Sequence, residues 1–348
     1  MTVKDIAELA KVSIGTVDRV ICHRGRVSAE TKSRIEAIIE KYHFTPNPMA
    51  RRLGRNRAYQ FCAFLPRRDL DAGYWRQALE GIQEGAAEIA PFGVETKVVE
   101  FDRYSVRGIS RAADSMLAVK PDGIILSPIM PETIKKVIEK IRQSGIPCVF
   151  FDTDLAGNDS LCSIGQDSFR GGYLAGRLMH LFAGKIVKPL AVLNAYGGGG
   201  ASHRNGFLHY AGEHGFSTVV REYPDNAGAE IPVAEIALFL KENPNLAGIF
   251  ITNCMAYRVV DAVKRQKGRR TFVLVGYDLI PKNRELLQEG AIDAVISRHL
   301  KEQGRLALLN LYRHVALEQR ILPKIQMPLD VYFRENIPII DEPFSEPG

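Results

Sequence analysis

Along the first 45 residues apolar positions recur at helical spacing in three short runs. Ile6, Leu9 and Ala10 mark one face of a first helix, Val17, Val20 and Ile21 that of a second, and Ile35, Ile38, Ile39 and Tyr42 that of a third. Thr2 with Asp5 reads as a capping-box-like start, and Ser13 and Ser28 as N-caps for the second and third helices. Only Lys11-Val12-Ser13 separates the first two runs, which predicts a tight helix-turn-helix whose small core the third helix closes. Thr45-Pro46-Asn47-Pro48 ends the third helix, because proline lacks an amide donor and disfavours the α conformation before it. Met49-Ala50-Arg51-Arg52-Leu53 is long enough for one or two helical turns, which are marginal in isolation and read as a hinge.

From about residue 59 the pattern changes to short apolar runs alternating with longer amphipathic ones. Strands are expected at 60–65, 95–101, 123–126, 147–152, 161–164, 190–194, 218–223, 248–252, 272–276 and 291–297. Helices fall between most of them, for example 75–90, 133–144, 169–182 and 301–317. Alternating strand and helix predicts parallel sheets with right-handed crossovers, and this many strands fits two doubly wound lobes better than one sheet. The division expected is a headpiece at 1–45, a hinge or linker at 46–57 and a two-lobed domain at 58–348. Ligands in such sheets bind beyond the carboxyl ends of the strands, which directs attention to the residues just after each strand.

Charge changes the picture only once it is located. The chain carries a net +6, and residues 1–57 hold twelve Lys/Arg against six acids, so the whole excess lies at one end and the remainder is neutral. A basic module on a neutral body is the electrostatic footprint of a polyanion binder, although a solvated basic surface gives the same count. Five scattered cysteines without C-x-x-C spacing argue for reduced thiols in a cytosol rather than a disulfide framework or a zinc site. The start, Met-Thr-Val-Lys-Asp, lacks the apolar run of a signal peptide, and no stretch reaches the length of a membrane span, so a cytoplasmic protein without membrane contact is expected.

The run from Val3 to Val20 (VKDIAELAKVSIGTVDRV), with Arg26-Val27-Ser28 and Pro46-Asn47-Pro48-Met49-Ala50-Arg51-Arg52-Leu53, resembles the headpiece of the LacI/GalR repressor family nearly without gaps over residues 2–53. The alternating pattern behind it resembles that family's sensor domain. The fold implied is a small all-α helix-turn-helix headpiece followed by α/β, with two doubly wound parallel-sheet lobes of the periplasmic-binding-protein-like type I. The function implied is a sequence-specific DNA-binding regulator, a repressor, answering to a small molecule bound between the lobes. Its partners are then a pseudo-palindromic double-stranded DNA operator, a carbohydrate or carbohydrate derivative, and a second copy of the chain in a dimer or tetramer.

In that resemblance the second helix enters the major groove. Arg19, on its polar side, can pair with guanine O6 and N7, Ile14 can touch a thymine methyl, and Gly15 permits close approach. Ser13, Thr16, Ser28 and Thr31 are placed at phosphates, with plain helix capping as the alternative for Ser13 and Thr31. Arg26 is a further groove or phosphate candidate. Asn47, Ala50 and Leu53 belong to the hinge, where the leucine wedges into a base step from the minor groove. Asp18 departs from the serine usual there, which bears on the operator sequence rather than on DNA binding.

For the sensor, Tyr74-Trp75 at a helix start reads either as an aromatic pair stacking on a sugar face or as core packing. Asp152 and Asp154 end one strand and Asp278 another. Carboxylates there accept paired hydroxyl bonds, and the resemblance puts the sugar-binding aspartate at Asp278. Asn253 resembles a strand-end asparagine of the family. Tyr196-Gly197-Gly-Gly-Gly200 opens a helix, and Arg204 is the candidate effector arginine; His203 holds the family's place one position earlier, so either the loop is shifted or the effector contact differs. Arg298 stands where many relatives have glutamine, and with Arg204 and His203 it points to an acidic or phosphorylated sugar. No phosphate-loop, G-x-S-x-G or H-E-x-x-H motif occurs, so no enzyme, cofactor or metal is expected. A transport solute-binding protein shares the lobes but has no use for the basic headpiece.

Overall fold

The computed structural model describes residues 3–21, 25, 27–42, 58–129, 131–153, 160–184, 187–195, 200–223, 231–266 and 270–338. Arg26, Asn47, Ala50, Leu53 and Asp154, the 46–57 hinge and the first glycines of the loop at 196–199 lie outside the described residues. Backbone contacts divide the chain into two units, Met1–Arg57 and Ala58–Gly348.

In the first unit, helices α1 (Val3–Ala10), α2 (Ile14–Ile21) and α3 (Ala29–Lys41) surround a core of Ile6, Ala7, Ala10, Val17, Val20 and Ile35. The turn between α1 and α2 is two caps set back to back. Lys11 takes a left-handed φ of 51°, its amide bonds Glu8 O, and the Val12 amide bonds Ala7 O at 3.0 Å, which closes α1 in a Schellman arrangement. Ser13 Oγ then accepts from the Thr16 amide and starts α2. Leu9 corrects the expected α1 face: it is 52% exposed, and the smaller Ala7 points inward instead. Tyr42 is likewise exposed.

The second unit holds two sheets. The first lobe has β1 (Tyr59–Pro66), β2 (Val94–Phe101), β3 (Gly123–Leu126), β4 (Cys148–Asp152), β5 (Cys162–Gly165) and a late strand, β11 (Lys324–Gln326), in the order β11-β5-β4-β3-β1-β2, all parallel. The second has β6 (Leu190–Ala195), β7 (Thr218–Tyr223), β8 (Gly248–Ile251), β9 (Val273–Tyr277), β10 (Ala294–Ser297) and β12 (Asp330–Tyr332), in the order β12-β10-β9-β8-β6-β7, with only β12 antiparallel. Strands β3 and β8, covered by helices on both faces, are the continuous apolar runs GIIL and GIFI, buried at every residue.

Helices α4 (Tyr74–Ile89), α5 (Val106–Ala118), α6 (Pro131–Gln143) and, from far along the chain, α12 (Leu300–Val315) belong to the first lobe. Helices α7 (Ser168–Ala183), α8 (Gly200–Glu213), α9 (Val233–Glu242), α10 (Ala256–Arg265) and α11 (Pro281–Gln288) belong to the second. Among the described residues, a helix pair in each lobe comes into backbone contact through glycine. A Cβ on Gly81 of α4 would fall 1.7 Å from Lys301 O of α12, and one on Gly172 of α7 would fall 1.7 Å from His203 O of α8.

The two-lobed α/β architecture is the one expected. Strand β10 begins three residues later than anticipated because Asp293 caps its entry, accepting from the Leu274 amide and from Arg270. The chain crosses between lobes after β5, after β10 and after β11, and Gln166 in the first crossing fastens all three. Its Nε2 donates to Ser297 O at 2.8 Å and to Pro328 O at 2.5 Å. Among the described residues no helix is long and apolar enough to cross a membrane.

Candidate functional site

On the headpiece, α2 turns Val17 and Val20 inward, which leaves Ile14, Gly15 and Arg19 on the outer side, Ile14 at 53% exposure. The stem of Arg19 runs past Gly25, where a Cβ would sit 3.5 Å from Arg19 Cδ, so the guanidinium projects from a supported base. Ser13 and Ser28 both cap: Ser13 Oγ lies 3.0 Å from Thr16 Oγ1, and Ser28 donates to Thr31 Oγ1 at 2.8 Å. Capping and phosphate contact remain compatible, since all four side chains sit at helix N-termini, where free amides and the helix dipole favour an anion. Sequence reasoning singled out neither Lys4 nor Lys11 beyond their charge. In the structure they line a shallow concavity with Ser13 and Ile14, beside the start of α2.

In the second unit, the two candidate carboxylates occupy matching places. Asp152 ends β4 and Asp278 follows β9, the fourth strand of each lobe, and both adopt left-handed backbone angles, with φ of 69° and 62°. Aspartate tolerates that conformation better than most residues, and the two carboxylates converge on Arg298. Neither carboxylate is open. Arg298, in the crossing after β10, donates from Nε to Asp278 Oδ2 at 3.0 Å and from Nη2 to the same oxygen, while its Nη1 reaches Asp152 Oδ1 at 3.5 Å. Tyr74 donates to Asp152 Oδ1 at 2.5 Å, and its ring lies 4.6 Å from the guanidinium carbon. Gln303, fully buried in α12, accepts from the Asp152 amide at 2.7 Å and donates to Arg298 O at 2.6 Å. Burial pushes the Asp278 carboxyl up against the opposing pull of Arg298. Burial likewise works against the charge on Arg298, but Asp278, Tyr74 and Asp152 outweigh it and hold the guanidinium protonated.

A second network adjoins the first. Asp71 accepts from Trp75 Nε1 and Arg103 Nη1, both at 2.7 Å, and from the Tyr104 hydroxyl at 2.8 Å. Trp75 is 1% exposed and set edge-on to Tyr74, so it packs and holds Asp71 rather than offering a stacking face. Cys254 of the second lobe donates to Asp71 O at 3.6 Å, which joins the lobes here too. Asp71, Arg103 and Gln303 were missed by sequence reasoning. The one available signal was an acid four residues before the lone tryptophan.

Arg204 and Asn253 are not brought into this cluster. Arg204 pairs with Glu222 at 2.5 Å, and Glu222 also accepts from Asn194 at 2.6 Å. Asn253 accepts from the Met255 amide at 3.1 Å in the turn into α10. His203 is fully buried, with its ring 4.4 Å from that of Tyr277. The trio expected to attract an acidic sugar is therefore not a trio, because Arg298 and Arg204 are each neutralised by carboxylate and His203 faces inward. Beside Asp152 a cavity of about 340 Å³ opens between the lobes, lined among others by Thr153, Ser163, Gln166, Asp167, Ser202 and Lys324. That size suits a small ligand.

Comparison with known proteins adds kinship. Residues 62–319 match the periplasmic binding protein domain family, and residues 2–47 match the lacI family of bacterial regulatory proteins. The chain is 26% identical over 287 residues to the sucrose operon repressor of Pediococcus pentosaceus, covering 79% of this chain and 81% of that protein. It is 30% identical over 195 residues to the HTH-type transcriptional repressor PurR of Escherichia coli O139:H28, a match spanning 54% of each. The glucose-galactose binding protein GanP of Geobacillus stearothermophilus shares the fold, with a TM-score of 0.71 at 22% identity over 82% of this chain and 100% of that one.

Proposed function

The chain belongs to the periplasmic-binding-protein-domain family and carries the headpiece of the lacI regulators, and from that premise we propose that it is a cytoplasmic transcriptional repressor whose grip on a DNA operator is set by a small carbohydrate or carbohydrate derivative held between its lobes. The observation that carries the reading is the outer face of α2, where Arg19 projects beside Ile14 and Gly15 from a basic headpiece. A guanidinium fork against guanine O6 and N7 discriminates by about 1–3 kcal/mol per base pair. Ser13, Thr16, Ser28 and Thr31, with Lys4 and Lys11 beside them, hold phosphates and fix the register. Arg26 extends that contact, and residues 46–57 form the linker in which Asn47 and Ala50 face the minor groove and Leu53 wedges a base step. Two copies bind together, since one headpiece covers one half-site.

In the sensor, Asp152, Asp278, Arg298 and Tyr74 form the core of the effector site, with Trp75 supporting it from behind. Arg204 and Asn253 occupy the second lobe's rim, and Asp154 the loop after Asp152. The names of the relatives, a sucrose operon repressor and a glucose-galactose binding protein, support a sugar. An effector that meets both lobes favours one cleft posture and shifts the population toward it, and the operator affinity changes by the same coupling energy.

The test is fluorescence anisotropy on an operator selected from random duplexes. Arg19→Ala should bind that operator and random DNA alike. A preference left intact in Arg19→Ala would show that α2 does not read bases.

A further inference from the structure

The acidic-sugar expectation fails for a reason that points to its opposite. Among the described residues, the largely buried charged groups that act on one another in the cleft are two guanidiniums, Arg298 and Arg103, and three carboxylates, Asp71, Asp152 and Asp278, while Lys324 and Asp167, which line the adjoining cavity, cancel in charge. The Tyr74 phenol and the Cys254 thiol, which also face this cluster, are kept neutral by burial. One negative charge is therefore left over in a place almost without solvent, where Asp71, Asp152, Asp278 and Arg298 are each less than a tenth exposed. Every acidic hydrogen-bond partner of Arg298 already belongs to the protein, and its Nε and Nη2 are committed to Asp278.

The geometry points to Arg298 as an internal counter-ion that sets the charge of the effector: the cleft admits neutral or amine-bearing polyols and rejects sugar acids and sugar phosphates. This rests on the reading that the effector lies between the lobes. A carboxylate or phosphate entering the cleft would meet the surplus carboxylate charge at a few ångströms with little water between them. At an effective dielectric near 20 and a separation near 6 Å, that repulsion weakens binding on the order of a hundredfold. An ammonium group gains from the same surplus, and a hydroxyl is indifferent to it.

The experiment is calorimetry and thermal shift on the full chain with glucose, galactose and mannose, each supplied as the free sugar, the 2-amino sugar, the uronate and the 6-phosphate. For the stereoisomer that binds, the neutral and amino forms should bind at least about a hundredfold tighter than the uronate and the phosphate. Asp152→Asn keeps an acceptor for Tyr74 and leaves Arg298 on Asp278, yet removes the surplus charge, so it should narrow that gap to within about tenfold. Asp71→Asn removes the same charge from the other network and serves if Asp152→Asn does not fold. Equal binding of acid and neutral forms by the unaltered chain, or a gap unchanged in whichever aspartate variant folds, would overturn the charge filter and leave the cleft reading standing. Binding by none of the twelve compounds would overturn the sugar reading of the cleft and this inference with it.

Discussion

Two glycines on one helix separate steric contact from helix propensity. Gly81 and Gly85 both lie on α4 facing α12. A Cβ at Gly81 would stand 1.7 Å from Lys301 O, whereas one at Gly85 would stand 3.3 Å from Arg305 O. A carbon rests against a carbonyl oxygen at about 3.3 Å or more, so Gly81→Ala must drive α12 back by roughly 1.5 Å while Gly85→Ala fits with almost no movement. Both substitutions gain the same helix propensity, about 1 kcal/mol. Overpacking against rigid backbone costs about 3 kcal/mol or more, which leaves Gly81→Ala destabilised by about 2 kcal/mol and Gly85→Ala neutral or slightly stabilised. At about 2.1 cal/mol/K per residue, a unit this large turns that difference of about 2–3 kcal/mol into roughly 3–5 °C in Tm. Trp75 is the sole tryptophan, buried at the start of the same helix, so its emission reports the transition directly. The consequence reaches the site, because α4 presents Tyr74 and α12 carries Gln303. Gly81→Ala should therefore also blunt the response to effector. Variants that melt within about 0.5 kcal/mol of one another would refute the claim that backbone contact sets this interface.

Gln303→Leu removes the partners of the Asp152 amide and the Arg298 carbonyl at once, and two buried backbone groups without partners cost about 2–4 kcal/mol together; urea unfolding that moves by less than 1 kcal/mol would count against it. The Asp278 carboxyl is raised by burial, so its contribution to stability is complete below the unfolded pKa of about 4 and is lost as pH climbs through the folded value. The stability of the natural chain relative to Asp278→Asn should accordingly fall as pH rises through that window in a pH series of unfolding curves, and a rise would be decisive against this assignment. Ser13→Ala and Ser28→Ala should each lower headpiece stability by about 1 kcal/mol, as read by circular dichroism melts of the full chain, whatever their effect on DNA.

The architecture was legible wherever burial imposes a simple pattern. Strands flanked by helices on both faces must be apolar throughout, and GIIL and GIFI announced themselves. The short edge strands β11 and β12 carry few buried residues and are parted by Pro328, so hydrophobic period alone did not show them, and only the family resemblance of 324–330 marked a closing strand there. In the headpiece, helical period identified the buried stripe but could not choose between Leu9 and Ala7, because tight packing of α1 against α2 and α3 favours the smaller side chain. Strand ends pointed to Asp152, with Asp154 beside it, and to Asp278. What Asp152 bonds to was invisible, since Arg298 and Gln303 reach it only through chain crossings that bring residues about 150 positions apart into contact, whereas Arg298 meets Asp278 from 20 positions away. The cluster of Arg298, Arg204 and His203, which sequence alone had grouped by charge, dissolved because Asp278 and Glu222 each take one arginine and His203 is buried.

The three crossings tied at Gln166 also govern how the protein is made. Neither lobe is a continuous stretch of polypeptide: the first is begun by β1 and finished by α12 and β11. At ordinary elongation speeds the ribosome needs on the order of ten to thirty seconds to travel from residue 165 to residue 326. For that interval α4 lacks its glycine-docked partner and β5 has an uncovered edge. The nascent chain is most exposed to chaperones, proteases and its neighbours on the polysome then, well after the codons for its DNA-reading helices have been translated.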